Sequence, residues 1–130
     1  MTAVAAVRSV VLDCPEPGEL ARFYAAVAGG TPVEESPDWV VLKVPDGPRL
    51  AFQRAPGYAP PQWPHADHDS QQFHLDFDAG GTWAEVDAAE EQVLALGARV
   101  LDREDDERKG FRVYADPAGH PFCLCRIEEP

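Results

Sequence analysis

The order of elements in this sequence runs twice, and that repeat limits the fold more than any other feature. Val4 to Leu12 is rich in valine and reads as a strand, ended by Cys14-Pro15-Glu16-Pro17-Gly18. Leu20, Phe23, Tyr24, Val27 and Ala28 then recur at the spacing of one helix face. Glu16 and Glu19 stand at the helix start, where the dipole favours acids, and Gly29-Gly30 stops it. Three strands follow at Thr31–Glu35, Trp39–Val44 and Arg49–Arg54, parted by Ser36-Pro37-Asp38 and Pro45-Asp46-Gly47-Pro48. After a proline-rich stretch the pattern restarts with Gln71–Asp78, which alternates strictly. Thr82 and Glu85 have capping-box spacing. Val86, Ala89, Val93 and Leu96 form a second apolar helix face, closed by Gly97. Strands at Arg99–Arg103, Phe111–Ala115 and Phe122–Ile127 complete it, with Asp116-Pro117-Ala118-Gly119 as the last turn.

The expected fold is α+β, a single domain over residues 1–130 built from two βαβββ repeats. Repeat one spans about 4–54, the linker 55–70 and repeat two 71–127. Each repeat should make a four-stranded mixed sheet with one helix on one face, and the two sheets should curl to form an open cleft. Alternation sends Phe73, Leu75 and Phe77 toward the helix. The opposite faces would carry Ser9, Val11, Trp39, Ala51, Gln53, Gln72, His74, Asp76, Cys123 and Cys125. A slip of one residue would invert that assignment. With Trp39, Trp63 and Tyr114 as aromatic walls, such a surface has the character of a small-molecule site.

Charge narrows the partners. The net charge of −12 disfavours nucleic acid, whose binding relies on Lys and Arg against phosphates, and disfavours anionic membranes. No segment approaches the roughly 20 apolar residues that span a bilayer. Met1 to Ala6 lacks the basic start of a secretory signal. Cys123 and Cys125 sit two apart on a strand, a poor geometry for a disulfide, and free thiols fit the cytoplasm.

Several segments carry a family resemblance: Glu19-Leu20-Ala21-Arg22-Phe23-Tyr24, Leu50-Ala51-Phe52-Gln53, Phe73-His74-Leu75-Asp76, Ala95-Leu96-Gly97-Ala98 and Asp116-Pro117-Ala118-Gly119-His120-Pro121-Phe122-Cys123-Leu124. With them the chain resembles the vicinal oxygen chelate superfamily, the glyoxalase/bleomycin-resistance/dioxygenase proteins, and more narrowly the glyoxalase-like domains common in actinobacteria. That fold hosts isomerases, lyases, dioxygenases, thiol transferases and drug binders, so it does not by itself give a function. The resemblance implies homodimers. In metal-using members it implies one divalent ion held by four inward side chains, typically His, Glu or Gln, His and Glu. The matching positions here are Ser9, Gln53 (with Ala51 the alternative), His74 and Cys123. Serine is a poor ligand and the closing carboxylate is replaced by a thiol, so this set departs from the pattern. Gln53 and His74 are the remaining metal candidates.

His74 has two readings, a ligand or general base and a position hydrogen-bonded to Asp76 or a tyrosine. His65 and His68 lie in the linker beside Asp67 and Asp69 and read as a solvated loop. Trp63 and Tyr58 would cap the cleft or cover a dimer seam. His120 reads as a turn residue. Cys123 and Cys125 read as small buried residues, and 102–109 as a solvated hairpin loop. Two functions stand out. One is a metal-independent binder of a drug or metabolite. The other is a metal-dependent lyase, isomerase or dioxygenase of the glyoxalase type, with His74 the best catalytic candidate. A module that binds a protein partner through its acidic surface is a third.

Overall fold

The computed structural model describes residues 3–64, 67–103 and 109–127, in two compact units, 1–58 and 59–130. In the first unit the elements are β1 (Val10–Cys14), α1 (Pro17–Ala28), β2 (Val33–Ser36), β3 (Trp39–Lys43) and β4 (Arg49–Arg54). Their sheet runs β1-β4-β3-β2, with β1 parallel to β4 and the other pairs antiparallel. A parallel neighbour needs a crossover, and α1 begins it. Pro17 opens the helix where its missing N–H costs nothing, and Glu19 lies in the first turn. The helix ends as Gly29, at φ 91°, donates its N–H to the Ala25 carbonyl at 2.9 Å. Gly30 is needed for another reason. At φ 94°, a Cβ there would fall 2.3 Å from the Lys43 carbonyl oxygen.

Leu20, Ala21, Phe23 and Tyr24 are buried on α1, and Tyr24 stacks on Phe52 with ring centres 5.9 Å apart. That contact fixes the faces of the first sheet. Leu12 pairs with Phe52, which sits opposite Val40, so these three look toward the helix. Val11, Asp13, Trp39, Val41, Ala51 and Gln53 look away from it. The helix–sheet interface of this unit is built of hydrocarbon and rings.

The second unit repeats the plan with β5 (Leu75–Gly80), α2 (Trp83–Ala95), β6 (Arg99–Asp102), β7 (Phe111–Ala115) and β8 (Pro121–Arg126), in the sheet order β5-β8-β7-β6. Thr82 caps α2, its hydroxyl accepting the Glu85 N–H at 3.2 Å and donating to the Glu85 carboxylate at 3.1 Å. Val86 and Val93 are buried beneath the helix, and so is Glu90 at 3 % exposure. Glu90 meets an equally buried arginine, Arg112, at 3.7 Å, and accepts the Tyr114 hydroxyl at 2.9 Å. Arg103 closes the group from the rim with a bidentate pair to Glu90. Burial pushes the Glu90 carboxyl up most strongly, yet the hydrogen bonds from Arg103 and Tyr114 and the charges of Arg103 and Arg112 outweigh it. The carboxyl is held below its usual range. Burial and then Glu90 push the Tyr114 hydroxyl well above its usual range.

The element order matches the sequence expectation, with four corrections. The first strand is Val10–Cys14, not Val4–Leu12. Its pairing starts at Val10↔Leu50, while Val4 and Val7 are exposed, so valine content did not mark the strand. The fifth strand starts at Leu75, not Gln71, because pairing begins at Leu75↔Phe122. Phe73 therefore does not join the helix-covered face and is 85 % exposed. Tyr114 is no cleft wall, since it pairs in register with Phe122, stacks on it at 5.5 Å and lies fully buried with Glu90 under α2. Leu96, read as part of the α2 face, is 41 % exposed.

Candidate functional site

On the second sheet the face turned away from α2 is set by register. Asp76 lies opposite Cys123, Cys123 opposite Val113, and Asp78 opposite Cys125. Side chains of paired residues share a face, so an acid and a thiol stand side by side on β5 and β8. His74 precedes Asp76 by two residues and joins them, its Nε2 3.2 Å from Asp76 Oδ1. The donor atoms of His74, Asp76 and Cys123 all lie within 4.8 Å of one another. Asp76 is the member that ligand counting on the sequence left out. The His-x-Asp alternation was the available signal, since period two puts both residues on one face.

The linker adds a fourth group. Trp63 stacks on His74 with ring centres 4.8 Å apart and planes 22° from parallel. Its segment is tied back on itself by the Gln62 N–H donating to the Asp69 carbonyl at 2.7 Å. Pro60 from the same linker packs against the turn before β8, where a Cβ on Gly119 would sit 2.4 Å from Pro60 Cβ. His68 lies apart from this group, paired with Asp67 and Asp69. His65 and 104–108 lie outside the described residues. Lys109, at the edge of the loop read as solvated, pairs with Asp102 at 2.9 Å and lies over the Phe111 ring.

The thiols are poor nucleophiles. Burial, and then the charge and hydrogen bond of Asp76, push the Cys123 thiol far up. Burial with Asp76 and Asp78 pushes Cys125 up to about 11. Both stay protonated at neutral pH, which argues against covalent catalysis through sulfur. Cys14, Cys123 and Cys125 form no disulfide among the described residues. His120 is a turn residue. The buried Asp116 carboxylate takes the backbone N–H groups of Ala118 and His120 at 2.8 and 3.0 Å and the His120 ring nitrogen at 2.9 Å.

The first unit presents a different surface. Trp39 and Gln53 are register partners on the face away from α1, and the Gln53 amide donates to Asp13 Oδ1 at 3.2 Å. Ser9 stands one residue before β1, half-buried. Of the four positions that the family resemblance implies for a metal, Ser9 and Gln53 thus belong to the first unit, His74 and Cys123 to the second. A hydroxyl, an amide engaged with a carboxylate, an imidazole and a thiol do not fit an ion that wants hard oxygen ligands. The nitrogen, oxygen and sulfur of His74, Asp76 and Cys123 do fit a borderline ion of the zinc type. No helix among the described residues is long and apolar enough to cross a membrane.

Comparison with known proteins agrees with this architecture. The sequence profile described as "Glyoxalase-like domain" matches residues 9–125. No curated protein matches the chain. Among solved structures, a glyoxalase/bleomycin resistance protein/dioxygenase family enzyme from Burkholderia phytofirmans superposes with a TM-score of 0.71 at 18 % identity, over 92 % of this chain and 97 % of that one. A glyoxalase-related enzyme from Fulvimarina pelagi gives 0.69 at 22 % identity, over 94 % and 88 %. The fosfomycin resistance protein FosX from Listeria monocytogenes, solved with Mn(II) and a dihydroxypropylphosphonic acid, gives 0.68 at 13 % identity, over 97 % and 93 %. At these identities the likeness concerns the fold.

Proposed function

The chain belongs to the glyoxalase-like domain family, and from that premise we propose that it is a small-molecule-binding protein of the drug-resistance or metabolite-binding type, without the four-ligand metal site of its metal-using relatives. One observation carries the reading. The face of the second sheet away from α2 holds a stacked Trp63–His74 pair beside Asp76, an aromatic surface with convergent polar groups. Trp63 offers a flat apolar contact, and the His74–Asp76 pair offers a donor and an acceptor to orient a ligand. Ser9, Trp39 and Gln53 on the first unit are also proposed as ligand-binding residues, as is Cys123 on the second, a neutral thiol in the metal-free chain. A cytoplasmic location and a homodimer belong to the same proposal. The first would show by fractionation, the second by sedimentation.

A screen of metabolites and antibiotics in the presence of a chelator tests it. The expected result is a raised melting temperature with an aromatic or hydrophobic compound, and a smaller shift in Trp63→Ala. A broad panel with no shift would sink the reading.

The donor cluster favours one second reading, a metal-dependent lyase, isomerase or dioxygenase with His74 as a metal-holding residue beside Asp76. A divalent ion bound there would polarise a substrate oxygen. His74 would be one of the residues holding that ion, its imidazole oriented by the Asp76 carboxylate at 3.2 Å. Turnover that needs both added metal and His74 would support this reading over the first.

A further inference from the structure

We infer that His74, Asp76 and Cys123 form a three-donor site for a zinc-type cation, carried wholly by the second unit: it keeps His74 and Cys123 of the two-repeat set that the family resemblance implies, and takes Asp76 in place of Ser9 and Gln53. The argument starts with placement. Asp76 and Cys123 are register partners on adjacent strands, so the sheet itself holds them together. His74 reaches the same face, and its Nε2 is already 3.2 Å from Asp76 Oδ1. Bonds of about 2.0–2.3 Å to nitrogen, oxygen and sulfur put two donors of one tetrahedral ion roughly 3.3–3.8 Å apart. The three donors here lie within 4.8 Å of one another, so a modest side-chain shift brings them to that span.

The donor types then choose the ion. Magnesium and calcium take oxygen ligands and gain little from imidazole or sulfur. Zinc and cobalt accept all three donors, and the Cys123 thiol, protonated in the metal-free chain, would release its proton to solvent as it binds. Three protein ligands leave at least one position open for water or a ligand atom, as in a catalytic rather than a structural zinc site. Lys109, a cation that bears on Cys123, is paired with Asp102 at 2.9 Å. Trp63, stacked on His74, limits the imidazole's swing, which lowers the entropy lost on binding.

Titration of the full chain with zinc, cobalt(II) or magnesium, with no organic ligand present, reads this site alone. The screen in chelator reads only the ligand surface, so the two can fail separately. The expected outcome is one equivalent of zinc or cobalt per chain, no magnesium binding in the same range, and a thiolate-to-cobalt charge-transfer band in the near ultraviolet. Cys123→Ser should abolish the band, and Cys125→Ser should keep it. Asp76→Asn, at a side chain that is 62 % exposed, should weaken cobalt binding tenfold or more. The proposal is overturned if neither ion binds, if the band follows Cys125 or Cys14, or if Asp76→Asn binds like the parent.

Discussion

The two units share an order of elements, a parallel outer pair of strands and one helix per sheet, yet they solve the same packing problem with different chemistry. Under α1 the contact is Tyr24 on Phe52, with Leu12, Val40 and Leu42 around it, and every one of these is buried. Under α2 a carboxylate, a guanidinium and a phenol take the equivalent place as Glu90, Arg112 and Tyr114. Hydrophobic contact is nondirectional and tolerant, whereas a buried ion network works only when every partner is present. The outer faces differ too. The first unit places an amide against a carboxylate there, while the second places imidazole, carboxylate and thiol within reach of one ion. A repeated backbone is thus packed on hydrocarbon and rings under one helix and on an ion network under the other.

Substitutions at matched places sharpen that contrast, and the largest effect belongs to the apolar half. Phe52→Ala removes a fully buried ring and should cost about 4 kcal/mol in denaturant unfolding. Glu90→Ala should cost about 3 kcal/mol, the low end for breaking a buried pair, because Arg112 keeps Asp87 at 2.8 Å. An equal and small loss from both would erase the distinction between the halves. The pH dependence separates them further. The Glu90 carboxyl is held below its ordinary value of 4.5, so its stabilisation is complete above that value and fades as pH falls through the depressed one. The stability gap between the parent and Glu90→Gln should therefore close on acidification. Phe52→Ala should keep its deficit at every pH.

Smaller effects test the helix ends. Gly30→Ala drives a Cβ to 2.3 Å from a backbone oxygen and should cost about 2 kcal/mol, through both the left-handed φ and the clash. Gly57→Ala, also at positive φ but with nothing within 4 Å of the added Cβ, should cost less than half of that, by thermal melting. Thr82→Ala deletes a hydroxyl cap and should cost about 1 kcal/mol. Glu16→Ala should stay within about 0.5 kcal/mol, because Glu16 makes no side-chain cap bond and Pro17 already sets the helix start.

The sequence was most legible where structure depends on local period and on turn chemistry. Strands Arg49–Arg54 and Phe111–Ala115 were read to the residue, since alternation and flanking turns bound them on both sides. Strand starts were read too early at Val4 and Gln71 because pairing ends where the partner strand ends, and that is a long-range property. Glu90 sits in a helix of acids, and nothing in its local sequence marks it as buried. Its burial depends on Arg112 and Tyr114 more than twenty positions away, which no window along the chain can see. The candidate site was half legible. His74 and Cys123 came from position in the repeat, but the part played by Asp76 needed the β5–β8 register, and the stack on Trp63 needed the path of the linker.

The central claim is that binding chemistry is concentrated on the second sheet's helix-free face. An NMR titration of the isotopically labelled chain with zinc tests it most directly. The account predicts that the largest shifts fall on His74, Asp76 and Cys123 and on the Trp63 indole N–H, with Val10–Cys14 and the Glu90 network nearly still. Largest shifts on the first unit or around Glu90, or none at stoichiometric zinc, would contradict it.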